Sequence, residues 1–285
     1  MHGVLAALHY SGIVARGSTA AATQFGGMMD SLLKWCATRV RPLAGAELVL
    51  RAVAGDASFR RYFRLVGCQP TRIAVHAPPD KERNLEFIHI AAILRAAGVQ
   101  APEVLAHEPG EGFLLLSDLG DTLLLGALGE DTVEALYRTA LDTLLAIQGA
   151  AIQHGGWRAP DYSAALLEQE MALFPEWYLQ GLLGLEPDAG ERRMLRDLFE
   201  CLGASALEQP QVLVHRDYHS RNLMLQPDGT LGVIDFQDAV RGPLTYDLVS
   251  LLRDCYIEWP AARVQAWARE YAGRASAAGL MAPVE

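Results

Sequence analysis

The chain has 285 residues, 51% of them hydrophobic, which supplies enough apolar material for one large domain or two lobes around a packed core. Its 24 basic against 34 acidic side chains give a net charge of -10, which argues against nucleic-acid backbones and anionic membranes as partners. Cys36, Cys68, Cys201 and Cys255 lack C-x-x-C spacing and no uncharged apolar run reaches about 18 residues, so neither a zinc site nor a disulfide framework nor a membrane span is indicated, and a cytoplasmic location is expected.

Residues 1–29 read as an N-terminal tail, disordered or preceding the true start: a basic n-region and a continuous apolar stretch are missing, and Met28 and Met29 stand just before the helix-like run Asp30 to Val40. From Glu47 to Val75 the pattern is that of an antiparallel meander, with strands at Leu48 to Leu50, Phe59 to Val66 and Ile73 to Val75 separated by Gly55-Asp56 and Gly67-Cys68-Gln69-Pro70. Pro78-Pro79-Asp80 stops the third strand, Lys81 to Ala97 reads as a helix ended by Gly98, and strands follow at Glu103 to Ala106 and Phe113 to Leu116. Residues 30–116 thus make a small α+β lobe, residues 117–121 (Ser117-Asp118-Leu119-Gly120-Asp121) a hinge, and residues 122–285 a mostly helical C-terminal lobe. In that lobe Asp131-Thr132-Val133-Glu134 resembles a capping box opening a helix whose stripe is Val133, Leu136, Tyr137, Ala140, Leu141, Leu144 and Leu145. Further helices are expected at Ala164 to Phe174, Glu191 to Ala206, Tyr246 to Tyr256 and Ala261 to Arg274. One β island interrupts them: Val212 to Val214, then Asn222 to Leu225 and Leu231 to Phe236 as a hairpin around Pro227-Asp228-Gly229.

If that hairpin folds symmetrically about Asp228, Asn222 lies opposite Ile234 and next to Asp235 at the open end. Two oxygen-bearing side chains then converge, a donor set suited to Mg2+, which takes one or two protein oxygens together with substrate phosphates. Asp217, five residues before Asn222, sits where a carboxylate accepts the proton of an attacking hydroxyl. Asp and Asn are ordinary turn residues in isolation. Here the loop His215-Arg216-Asp217-Tyr218-His219-Ser220-Arg221-Asn222 follows an apolar strand and precedes Asp235-Phe236, a combination that points to phosphoryl transfer from ATP. His219 is placed to touch the γ-phosphate or to brace the loop, His215 has a structural part, and Asp247 caps a helix or supports the loop. Gly55 and Ser58, in Gly55-Asp56-Ala57-Ser58, are candidates to fold over phosphate or to form a plain hairpin turn. Arg60, Arg61 and Arg64 follow as possible phosphate partners. Where V-A-I-K would place a phosphate-pairing lysine the chain reads Ile73-Ala74-Val75-His76, leaving His76 or a nearby arginine to substitute, with Glu82 and Glu86 as candidate partners.

Together these segments resemble the aminoglycoside phosphotransferase-like family, over roughly Met28 to Pro260. Gly55 to Tyr62, Ala77-Pro78-Pro79, Leu114 to Gly120 and Asp235 to Val240 are most similar to bacterial kinases that phosphorylate N-acetylmuramate or N-acetylglucosamine at the anomeric hydroxyl in peptidoglycan recycling. The resemblance implies a bilobal protein-kinase-like fold, with Asp217 as base, Asn222 and Asp235 holding Mg2+, and Leu116, Ser117 and Asp118 meeting adenine through their backbone. For the sugar, Glu176 and Trp177 in Phe174-Pro175-Glu176-Trp177-Tyr178 stack on and bind a pyranose or merely bury their rings, and Arg241 and Arg253 pair with a lactyl carboxylate or with structural acids. The family continues through more helices after the region matching Arg263 to Arg274, so a shortened acceptor pocket is expected. Aminoglycoside, choline or homoserine kinases, and a catalytically silent nucleotide-binding module, are the alternatives.

Overall fold

The computed structural model describes residues 19–53 and 59–283. Helix α1 spans Thr19–Ala37 and so begins well ahead of Asp30, where the helix-like run was expected to start. Ala20, Ala21 and Ala22 are strong helix formers, and Met28, Met29 and Leu33 pack against a cluster formed by Leu32, Cys36 and the sheet.

The N-terminal sheet joins β1 (Val49–Ala52), β2 (Arg61–Val66), β3 (Arg72–His76), β4 (Val104–Glu108) and β5 (Phe113–Ser117) in the order β1-β2-β3-β5-β4, with every pairing antiparallel. This is the expected meander, carrying helix α2 (Asn84–Ala96) between β3 and β4. Successive strand residues face opposite sides of a sheet, and that alternation divides the lobe. Phe63, Leu65, Ala74, Phe113 and Leu115 join Leu32 and Cys36 on the α1 face. Tyr62, Ile73, Val75, Leu114 and Leu116 lie on the other face, within the larger core that includes α2 and the C-terminal lobe.

Beyond the hinge follow α3 (Leu124–Ala127), α4 (Val133–Gln148), the hairpin β6 (Gln153–His154) and β7 (Trp157–Arg158), and α5 (Ala164–Leu173). Next come a π-helix (Phe174–Leu182), α6 (Ala189–Glu208), β8 (Gln211–Val214), β9 (Leu223–Leu225), β10 (Leu231–Val233), β11 (Val240–Pro243), α7 (Tyr246–Leu252) and α8 (Ala261–Ala277). Helix α4 buries Val133, Tyr137, Ala140, Leu141 and Leu144 as its spacing predicts, and Tyr137 stacks on Trp267 of α8 with ring centroids 4.2 Å apart. The capping box expected over Asp131 to Glu134 is not what opens α4, because Thr132 takes the N-cap position and its side chain makes no cap hydrogen bond. Thr132 is itself helical, and its hydroxyl accepts from the Gly129 N–H and donates to the Ala127 carbonyl, closing the preceding loop instead. A complete box opens α6, where Asp188 and Glu191 each bind the other's backbone N–H.

Two helices end differently from expectation for identifiable reasons. Helix α5 gives way to the π-helix at Phe174, next to Pro175, which has no N–H to continue the α-helical ladder. Helix α7 stops at Leu252 rather than Tyr256, because Asp254 turns the chain by accepting from the N–H groups of Ser220 and Tyr256.

Candidate active site

Strand β8 pairs antiparallel with β11 and delivers the buried residues Val212 to Val214 into the loop His215 to Asn222. The loop is braced from three directions. Asp247, fully buried at the start of α7, accepts from the N–H of His215 at 2.7 Å and of Arg216 at 2.9 Å. Tyr218 donates to the Ala140 carbonyl of α4 at 2.7 Å, and Asp254 takes the Ser220 N–H. Burial pushes the His215 imidazole below its usual pKa, and its contacts fit the neutral ring: Nε2 lies 3.0 Å from the Ile234 carbonyl, and Nδ1 accepts from the Asp217 N–H at 3.3 Å. Burial likewise holds His219 low; its ring sits edge-on to Tyr256.

The β9–β10 hairpin has the register that symmetry about Asp228 requires: Leu223 faces Val233, and the Ile234 N–H donates to the Asn222 carbonyl at 3.0 Å. Asn222 Nδ2 donates to the Asp217 carbonyl at 3.0 Å and reaches Asp235 Oδ2 at 3.5 Å. Asp217, Asn222 and Asp235 therefore meet at one end of the hairpin, with the amide NH2 of Asn222 turned toward the Asp217 carbonyl and Asp235, so that Oδ1 is the oxygen it could offer a metal. An amide oxygen and a carboxylate are hard donors in the small number that a Mg2+ shared with phosphates requires, so the donor set fits that ion. No cluster of three or more His, Cys, Asp or Glu side chains suited to a metal occurs among the described residues. Arg216 (φ 78°) and Asp235 (φ 65°) both hold left-handed backbone conformations, an unusual state for non-glycine residues that clusters at functional sites.

On the nucleotide side, Gly55 and Ser58 lie outside the described residues. His76 is one of the residues expected to stand in for the lysine. It sits opposite Arg61 and Phe113 and shares the α1 face with Ala74, so its ring packs edge-on against Phe113, away from the catalytic loop. The alternation that carries Val75 to the inner face carries His76 to the outer one. Arg60, one residue before β2, is of the parity of Tyr62 and lies buried on the inner side, beside Glu82, Asn84 and Gln237. At the hinge, Leu116 is buried in β5, and Ser117 exchanges two hydrogen bonds with Glu103, its N–H to the Glu103 carbonyl and its hydroxyl from the Glu103 N–H. The Asp118 carboxylate is fully engaged by Arg64, Thr71 and the Gly120 N–H. Burial works against its charge, but those donors outweigh it and hold the carboxyl below its usual range. Asp118 thus ties the hinge to β2 through its side chain.

Of the candidate sugar residues, Glu176 and Trp177 lie exposed on the π-helix, and Arg241 is held by Asp161 at 2.7 Å. Sequence reasoning missed Glu170. From α5 it binds the guanidinium of Arg216 and accepts from the hydroxyls of Tyr162 and Tyr246, joining the acceptor-side helix to the residue before Asp217. The contact spans 46 residues of sequence and leaves no local pattern.

A profile described as the Phosphotransferase enzyme family matches residues 49–280. The chain belongs to that family. This phosphotransferase is 42% identical over 238 residues to the N-acetylmuramate/N-acetylglucosamine kinase of Pseudomonas aeruginosa, covering 84% of this chain and 69% of the relative. A protein of the same name from Neisseria meningitidis is 38% identical over 239 residues, with 82% and 70% of the two chains covered. Among solved structures, ADP-bound aminoglycoside phosphotransferase APH(2'')-Ib superposes with a TM-score of 0.61 at 16% identity, over 88% of this chain and 84% of that one, which shows a shared bilobal α+β fold. The phosphotransferase is therefore an enzyme that phosphorylates a hydroxyl group.

Proposed function

We propose that the protein transfers the γ-phosphoryl group of ATP to the anomeric hydroxyl of N-acetylmuramate or N-acetylglucosamine, a step that returns cell-wall amino sugars to metabolism. The observation that carries this reading is the meeting of Asp217, Asn222 and Asp235 at the open end of the β9–β10 hairpin. The names of the curated relatives support the acceptor.

In this mechanism Asp217 accepts the proton of the sugar hydroxyl as its oxygen bonds to the γ-phosphorus and the bond to ADP breaks. An anomeric hydroxyl is more acidic than an ordinary alcohol, so a carboxylate suffices as base. The backbone of Asp217 is held in place on both sides, since its carbonyl accepts from the His219 N–H and Asn222 Nδ2 and its N–H is taken by His215. Asn222 and Asp235 would hold a Mg2+, which supplies charge neutralisation on the phosphates. Adenine contact falls to the backbone around Leu116 to Asp118, and His219, two residues beyond the base and 3.5 Å from Asn222, touches the γ-phosphate or braces the loop. The two sugars differ by a lactyl carboxylate, and a site that accepts both does not depend on a free cation. The capture of Arg241 by Asp161 fits that requirement.

A turnover assay with Mg·ATP across N-acetylmuramate, N-acetylglucosamine, an aminoglycoside and choline tests the acceptor; turnover restricted to the last two would overturn it. In a companion measurement, His76→Phe is expected to leave ADP affinity within about threefold of the parent, because the ring faces α1. A larger loss by calorimetry would return His76 to the phosphate site.

A further inference from the structure

The missing lysine raises the question of which positive charge serves the inner face of the N-terminal sheet. Arg60 has the right parity and is buried, 3% exposed. Its guanidinium lies over the Phe87 ring at 5.0 Å, pairs with Glu82 at 3.5 Å and donates to Asn84 at 3.3 Å, all within the N-terminal lobe. A further bond crosses to the other lobe, where Nη1 donates to Gln237 Oε1 at 3.1 Å. Gln237 in turn donates through Nε2 to Asp235 Oδ1 at 2.7 Å.

A glutamine amide has one accepting and one donating end, so these two bonds fix its orientation. The carbonyl must face the arginine and the NH2 must face the aspartate. With Oδ1 of Asp235 held by Gln237 and Oδ2 beside Asn222, the carboxylate that would bind metal is fixed about its own axis by one residue from each side. The backbone does not set this orientation cheaply, because Asp235 is in the left-handed region. A second contact runs parallel to the first: Phe236 stacks on Phe87 of α2 at 4.8 Å, beneath the same guanidinium.

We propose that Arg60 and Gln237 are positioning residues forming a relay between the lobes, Glu82 to Arg60 to Gln237 to Asp235, that orients Asp235 for Mg2+. The relay makes metal affinity depend on the placement of the N-terminal lobe. It rests on the nucleotide and metal reading of the site given above. Partners that orient a metal-binding carboxylate typically change metal affinity by about 10–100-fold when removed.

The test is calorimetric binding of ADP with Mg2+ and with EDTA, comparing wild type with Gln237→Met, Arg60→Lys and the double variant. Arg60→Lys retains a charge for Glu82 but lacks the planar fork that reaches Asn84 and Gln237 together. Each single variant is expected to reduce the Mg2+-dependent gain in ADP affinity by about tenfold while ADP affinity in EDTA holds, and the double variant to lose no more than the worse single one. A full Mg2+ gain in Gln237→Met, or losses that add in the double variant, would overturn the relay while leaving the nucleotide site intact. A wild type whose ADP affinity ignores Mg2+ would overturn the metal reading and the relay with it.

Discussion

Asp217→Asn should lower turnover of the amino sugar by about a hundred- to ten-thousand-fold, the range over which a positioned general base contributes. The substitution preserves shape and leaves the backbone contacts of residue 217 intact, since these involve its N–H and carbonyl rather than its carboxylate. Binding of Mg·ADP and the unfolding temperature should therefore stay close to the parent values, and the loss should appear in kcat rather than in KM. Steady-state kinetics alongside a thermal scan makes the comparison. A variant that turns over within about threefold of the parent would remove Asp217 from the chemistry.

Asp247→Ala should act in the opposite way, on the fold first. It strands the N–H groups of His215 and Arg216 in the interior, and an unsatisfied buried donor costs about 1–3 kcal/mol, so a loss of about 2–6 kcal/mol is expected in chemical denaturation. Activity should fall with it, because Arg216 loses the carboxylate that receives its N–H in a left-handed conformation. Burial pushes Asp247 up to about 7, against the two N–H donors that favour its charged form. A folded-state value above the unfolded value of about 3.9 means that the native state binds the extra proton. The contribution is then fully present below about pH 4 and lost as pH rises through about 7. Asp247→Asn has nothing to titrate and should flatten that part of the stability profile. An unchanged slope would show that other groups produce it.

The sequence disclosed the register of the β9–β10 hairpin well because its information there is local. Pro227-Asp228-Gly229 sets the hairpin register, and that register alone brings Asn222 beside Asp235. The sheet was legible for the same reason, as turn residues divide its strands. The outcome at His76 shows the limit of such reading: alignment to V-A-I-K gave the position along β3 but not the face, and the face depends on which neighbours belong to the α1 cluster. Asp131 to Glu134 presented a capping-box signature, but Thr132 takes the N-cap position and its hydroxyl is used by the preceding loop. Glu170 and Gln237 were invisible because their partners come from distant segments or were read as part of a motif, with no periodicity to mark them. Asp118 was read as meeting a nucleotide through its backbone, and its side chain, which that reading left open, holds the hinge to Arg64 and Thr71.

The two left-handed residues beside the base carry a consequence for directed evolution of this protein. A side chain at positive φ costs roughly 1–2 kcal/mol that glycine does not incur. Asp235→Gly would relax the backbone and delete the carboxylate proposed to hold the metal in one change, whereas Arg216→Gly would relax the backbone but strip Glu170 of its guanidinium partner, a loss that offsets the gain. Selection for thermal tolerance alone would thus favour loss of the Asp235 side chain, and any library built for robustness should be scored for turnover in the same round.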